Sequence, residues 1–216
     1  MFKFIDFIKQ VFQGKTIYRI LFNWQVKENC QNLTGEVLDL AGGSNPSYDK
    51  YLPHDLKIRR TDRVDFSDHG DLVVDFNKPL PFADNSVENI FLFNAVYIAQ
   101  DQNLLLTEIY RILKEGGKIF LASPWVSSEI PEPDDYSRLT YQGLGWELQR
   151  VGFKEIRIIR FGERFSAVAN LLHKFWLFSL IRLFVYPVSL LLDKLIPARL
   201  KKFQPCPLGY FCLSKK

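Results

Sequence analysis

The sequence predicts one α/β domain built on a largely parallel sheet, and three observations carry that expectation. The 216-residue chain is 47% hydrophobic and 24% charged, which suits one sizeable core and excludes a disordered tail or fibrous repeat. From Glu36 onward, seven strand-like apolar runs alternate with stretches of helical period, the pattern of βαβ units. The first run ends in an acid and a small-residue turn, VLDLAGGSNPSY over 37–48, where backbone can approach a ligand closely and any following helix would aim its N–H groups at it.

Ahead of the alternation, MFKFIDFIKQVFQGK places Phe4, Ile5, Ile8, Val11 and Phe12 at helical spacing, so an opening amphipathic helix that packs on the domain is expected. Lys3, Asp6 and Lys9 interrupt its apolar run and no small-residue cleavage site follows, so no signal peptide is read there. The strand-like runs are then EVLDLAG, DLKIRRTD, DLVVDF, NIFLFNA, KIFLASP, EIRIIRF and GYFCLSK. Between the fourth and fifth, Leu105, Leu106, Ile109, Ile112 and Leu113 form a helical stripe, which Gly116 and Gly117 are expected to end as a left-handed stop. Between the fifth and sixth, LTYQGLGWELQRVGF repeats the period and is closed by Gly152; the Pro-rich SPWVSSEIPEPDD is a loop.

Residues 165–202 depart from the rest. FWLFSLIRLFVYPVSLLL is apolar apart from its serines, Arg182, Tyr186 and Pro187, at the lower length limit for a transmembrane helix. Arg182 near mid-membrane and the helix-breaking Pro187 count against a span. Ser179, Arg182, Tyr186, Ser189 and Asp193 recur every three or four positions as one narrow polar stripe. Packing within the domain is the first reading and interfacial membrane contact the second; Lys194, Arg199, Lys201 and Lys202 would suit an anionic lipid surface.

A net charge of +4, from 28 basic and 24 acidic residues spread evenly, gives no footing for nucleic-acid binding. Cys30, Cys206 and Cys212 are odd in number and lack metal spacing, so neither a disulfide framework nor a zinc site is expected. The expected setting is reducing and cytoplasmic, with membrane association left open. His54, His69 and His173 are read as surface or packing residues.

The VLDLAGG run resembles motif I of the class I S-adenosylmethionine-dependent methyltransferases, a strand, an acid and a GxGxG turn. Later segments resemble the methyltransferase type 11 group in order and spacing: KIRRTD, DLVVDFNKPLPFADNSVENI, LLLTEIYRILKEGGKIFLASP and DYSRLTYQGLGWELQRVGFKEI. The likeness covers roughly residues 36–162 and the final strand. It implies a Rossmann-like sheet, mostly parallel with an antiparallel last strand, flanked by helices. It also implies a helical extension over 1–35, a core over 36–164, an apolar helical insertion over 165–202 and the last strand within 203–216.

The resemblance further implies S-adenosyl-L-methionine as cofactor, held by Asp39, Ala41, Gly42, Gly43, Ser44, Asn45, Asp62, Arg63, Asp75, Phe76 and Asn94. Asp62 matches the acid that holds the ribose hydroxyls, and Asp75 the acid near the adenine. Each acid also has a plain structural reading: Asp39 capping the next turn, Asp62 an ordinary surface acid, Asp75 initiating the Asn77–Pro79 turn. The family pattern is broken where Ala41 and Asn45 replace glycines, and where NAVYIAQ stands in place of an HxLEH-like sequence.

Methyl transfer requires the acceptor to be held close and aligned with water excluded, and a base only for an acceptor of high pKa. Tyr97, Asp134, Asp135, Tyr136, Arg138 and Trp125 lie in the loops above the sheet, and no catalytic residue is assigned among them. The 165–202 insertion joins the last two strands and should overhang the opening, which suggests a small or lipid-linked acceptor. A dehydrogenase is disfavoured because GxGxxG is missing. A non-catalytic methyltransferase-like scaffold or membrane-surface protein remains the alternative.

Overall fold

The structure is a computed structural model, and it describes residues 2–62, 72–130, 134–176 and 178–216. Two helices open the chain, α1 (Phe2–Phe12) and α2 (Ile17–Cys30), the second capped by Thr16, whose hydroxyl accepts from the Arg19 amide. There follow β1 (Glu36–Asp39), β2 (Lys57–Asp62), β3 (Leu72–Val73), β4 (Val87–Phe93), α3 (Gln102–Ile112) and β5 (Leu113–Pro124). The chain ends with α4 (Tyr141–Val151), β6 (Lys154–Phe161), α5 (Arg164–Leu171), α6 (Ser179–Leu195), α7 (Ala198–Phe203) and β7 (Gly209–Lys215).

All seven expected strand runs fall in one sheet of order β3-β2-β1-β4-β5-β7-β6. The β1–β2, β2–β3, β1–β4 and β4–β5 pairs are parallel, and β7 runs antiparallel to both β5 and β6. Strand order reverses between β1 and β4, which makes the carboxyl edge there the natural ligand crevice of an open α/β sheet.

Period-2 alternation places the sheet between two cores. Ile90 and Leu92 of β4 face Leu105, Leu106 and Ile109 of α3 and Leu144 and Leu148 of α4. Phe91 and Phe93 face the other way, onto Ile20, Phe22 and Val26 of α2 and Tyr186 of α6.

The α3 stripe is buried as expected, but the helix stops at Ile112 and the two glycines do not cap it. Gly116 (φ +75) and Gly117 lie inside β5, where pairing with β4 slips from Val87↔Leu113 to Asn89↔Lys118. A Cβ on Gly117 would meet the Glu88 carbonyl oxygen at 2.7 Å, so the glycine serves a bulge rather than a helix end. Gly152 does close α4, at φ +116.

Two amphipathic segments bury polar positions against the domain and leave several large apolar ones outside. In α1, Asp6, Phe7, Gln10 and Val11 are buried, whereas Phe4, Ile5 and Phe12 are exposed. In α6 the polar positions Tyr186, Ser189 and Asp193 are buried, and Leu180, Phe184, Leu191 and Leu195 face outward. The inward carboxylates and amides are satisfied, whereas the buried Tyr186 hydroxyl has no hydrogen-bond partner among the described residues. Tyr51 donates to both Asp6 oxygens at 2.7 and 2.8 Å, Gln10 donates to Asp6 at 2.8 Å, and Asn23 donates to Gln10 at 2.7 Å. Burial pushes the Asp6 carboxyl up, but bonds from Tyr51, Trp24 and Lys50 outweigh it and hold the group below its ordinary value. Asp193 accepts from the Phe165 amide at 2.8 Å and the Glu163 amide at 3.1 Å, capping α5 from a neighbouring helix. The helix runs through Pro187, and no helix among the described residues is long and apolar enough to cross a membrane.

Candidate functional site

Asp39 is the last residue of β1 and Asp62 the last of β2, and Asp75 follows β3 by two positions, so the three acids lie along one carboxyl edge. The Asp62 side chain and the whole of Arg63 and His69 lie outside the described residues.

Asp39 is fully buried. Its Oδ2 accepts from the Tyr48 hydroxyl at 2.5 Å and sits 3.8 Å from Arg60 Nε, while Arg60 also donates to Asp49 at 2.6 Å. Burial pushes the carboxyl up to about 6 against the opposing pull of Tyr48 and Arg60. Its Oδ1 has no hydrogen-bond partner among the described residues.

The turn beyond it depends on two glycines. A Cβ on Gly42 would meet Asp39 Oδ2 at 2.3 Å, and Gly43 holds φ +61. Among the described residues the turn is followed not by an α-helix but by a 3-10 turn at Asp49–Tyr51. Pro46 and Pro53 punctuate this short connection, so no α-helix N-terminus of the described residues directly follows the turn. Ser47 ties the loop to α2 by donating to Asn23 at 3.2 Å.

Asp75 performs the turn role open to it in the sequence. Its Oδ1 accepts from the Asn77 amide at 3.0 Å, and Lys78 Nζ lies 3.1 Å from Oδ2. Phe76 is buried in the α3-side core, so only its backbone is at the edge.

At the end of β4, Asn94 takes the left-handed conformation, φ +56, and accepts from the Tyr18 hydroxyl of α2. Its Nδ2 is buried without a partner among the described residues. Asn94 and Tyr18 line a cavity of about 420 Å³ with Lys15, Arg19, Tyr97 and Ser127. Asn170, His173 and Lys174 close its far side. The N-terminal segment and the insertion therefore meet over the end of β4. His173, expected as surface or packing, lines this cavity, with Nδ1 3.0 Å from the Asn170 carbonyl. Burial raises both Tyr18 and Tyr97, which keeps them as hydrogen-bond donors at neutral pH rather than bases.

The other loop candidates support one another. Arg138 pairs with Asp135 and lies 4.8 Å over the Tyr97 ring, and Gln100 donates to the Tyr136 hydroxyl at 2.9 Å. Trp125 faces Tyr210 at 6.4 Å. Tyr18, Arg19 and Asn170 carried no signal in the sequence, since helical period alone does not place them beside β4.

Comparison with known proteins supplies the remaining observation. Residues 56–121 match the family model described as a methyltransferase domain. A SAM-dependent methyltransferase from Archaeoglobus fulgidus superposes with TM-score 0.57 at 17% identity, over 92% of this chain and 94% of that one. The chain has the class I methyltransferase fold. A methyltransferase of the same cofactor dependence from Mesorhizobium loti gives TM-score 0.59 at 12% identity, over 90% of this chain and 97% of that one. Phosphoethanolamine N-methyltransferase 2 of Haemonchus contortus, in complex with S-adenosyl-L-methionine, gives 0.57 at 15% identity over 90% of this chain and 52% of that one. No curated protein matches the chain. The mostly parallel sheet and the antiparallel β7 are as the sequence led one to expect.

Proposed function

We propose that the protein is an S-adenosylmethionine-dependent methyltransferase acting on a small or lipid-linked acceptor. The observation that carries this reading is the cradle at the switch point, where Gly42 leaves no room for a side chain, Gly43 holds a positive φ and Asp39 keeps one buried oxygen without a described partner. Those features fit close approach of a cofactor to backbone. When bound, the cofactor supplies an electrophilic sulfonium methyl.

In this reading Ala41, Gly42, Gly43, Ser44 and Asn45 present backbone to the cofactor, with Asp39 beneath them. Asp62, Arg63, Asp75, Phe76 and Asn94 complete the contact set along the carboxyl edge. The cavity beside Asn94 takes the acceptor, which Tyr18 and Tyr97 orient and the two helical segments shield from water. No base is required of an acceptor whose lone pair is free at neutral pH. The reading extends to an intracellular protein whose 165–202 segment contacts a membrane surface.

Calorimetric titration with S-adenosylmethionine and S-adenosylhomocysteine tests it. Micromolar binding that is lost in Asp62→Ala supports the cofactor site, and a folded protein that binds neither compound overturns it. The helix-free turn after Gly43 favours one second reading, a methyltransferase-like scaffold, for which cofactor binding without turnover on lipid or small acceptors is the expected result.

A further inference from the structure

The outward faces of α1 and α6 share one surface. An apolar groove of about 380 Å³ runs between them, lined by Phe4, Trp24, Pro187, Leu190 and Leu191, with Lys194 at its edge. On the same two helices Phe12, Leu180, Phe184 and Leu195 are all more than half exposed, Leu180 and Phe184 at 72% each, as are Phe175 before α6 and Phe203 of α7. A contiguous apolar patch of this kind marks an interaction surface.

Its charge says what covers it. From Arg164 to Lys216 the sequence has a single acid, Asp193, and that carboxylate is buried at the N-terminus of α5. Lys174, Lys194, Arg199 and Lys202 are exposed on the same stretch, as is Lys9 on α1, whose own acid, Asp6, is also buried. Every exposed charge described on these helices is thus positive. Two copies brought face to face would set cations against cations, which opposes a self-interface. Dispersed Leu and Phe flanked by Lys and Arg, on helices too short to span, is the chemistry of an interfacial contact with an anionic bilayer.

We propose that the outward face of α1, α6 and α7 docks the protein on an anionic lipid surface, with the cavity beside Asn94 opening at the membrane-facing rim. The link between the two is direct. Asn170, His173 and Lys174 line the cavity, while Leu171, Leu172 and Phe175 beside them in the chain are exposed. A polar headgroup reaches the cavity without leaving the interface, and Lys15, Arg19 and Lys174, against the single acid Glu129 at its lining, favour a headgroup of negative charge.

Co-sedimentation of the full chain with phosphatidylcholine vesicles, with and without phosphatidylserine, tests this, and neither cofactor nor turnover enters the readout. Binding is expected to require phosphatidylserine and to weaken with salt. It should fall by about tenfold or more in Leu180→Ser/Phe184→Ser, and about tenfold in Arg199→Glu/Lys202→Glu, with circular dichroism unchanged because these side chains are exposed. A wild-type protein that stays in the supernatant, or variants that bind as well as the wild type, would overturn it. So would a stable dimer by light scattering that the Leu180→Ser/Phe184→Ser variant dissociates. Loss of cofactor binding with vesicle binding intact would refute the methyltransferase reading alone.

Discussion

The Tyr48 hydroxyl donates to the buried Asp39 carboxylate at 2.5 Å, tying the end of β1 to the loop that follows the glycine turn. Because burial raises Asp39 to about 6 from 3.8, the folded protein holds a proton there that the unfolded chain has released. Across that interval the native state binds more protons, so Asp39 lowers stability progressively as pH rises from about 4 to about 6. The loss amounts to about 3 kcal/mol, complete above the folded value. Asp39→Asn removes this slope: urea midpoints of wild type and variant compared from pH 4 to 7 should diverge in the variant's favour as pH rises. A constant difference would place the proton elsewhere.

Asn94 offers a separation of backbone from side chain. Its φ of +56 suits glycine better than alanine, and its Oδ1 accepts from Tyr18. Asn94→Gly and Asn94→Ala both lose that bond, at about 1 kcal/mol. Only alanine adds left-handed strain, roughly 1 kcal/mol more. Chemical denaturation should rank the glycine variant above the alanine variant, and equal losses would show that the turn relaxes freely.

Gly42 tests the cradle. A β-carbon there would stand 2.3 Å from Asp39 Oδ2, so Gly42→Val must drive the carboxylate out of its bond to Tyr48 or open the turn. S-adenosylmethionine affinity, by calorimetry, is expected to fall at least about tenfold, some 1.4 kcal/mol. Unchanged affinity would move the cofactor away from this loop.

The strands were legible because burial on a sheet leaves a local mark: NIFLFNA and GYFCLSK become β4 and β7, and the α3 stripe from Leu105 to Leu113 is buried throughout. The three edge acids were legible for the same reason, each closing an apolar run. What the sequence could not show was direction. Periodicity in α1 and α6 gives an apolar face and a polar face but not which one meets the domain, and the usual preference for apolar inside fails where Asp6, Gln10 and Asp193 find partners within. The cavity was hidden more deeply. Tyr18, Asn94 and Asn170 are brought together by tertiary packing across 152 positions of chain, and no spacing rule links them. The glycine pair at 116–117 misled because a helix stop and a bulge use the same residue for the same backbone freedom.

Asp193 decides whether α6 is held by its polar stripe. It is the one acid of the insertion, and it accepts from the amides of Glu163, Phe165 and Ser166 at the start of α5, at 3.1, 2.8 and 3.3 Å. No other element among the described residues caps those amides except Glu163 and Ser166 themselves. Asp193→Ala leaves the Phe165 amide without its acceptor while Ser166 Oγ still accepts from the Glu163 amide, and the expected cost is about 1–2 kcal/mol by urea denaturation. Asp193→Asn keeps one acceptor oxygen and should recover a good part of it. If the stripe is the anchor, Asp193→Ala also loosens α6 from the domain, seen as faster amide exchange over 179–195 with exchange in β4 unchanged. A loss below about 0.5 kcal/mol, within the range of ordinary surface changes, would mean that α6 is held by Tyr186 and its apolar neighbours alone.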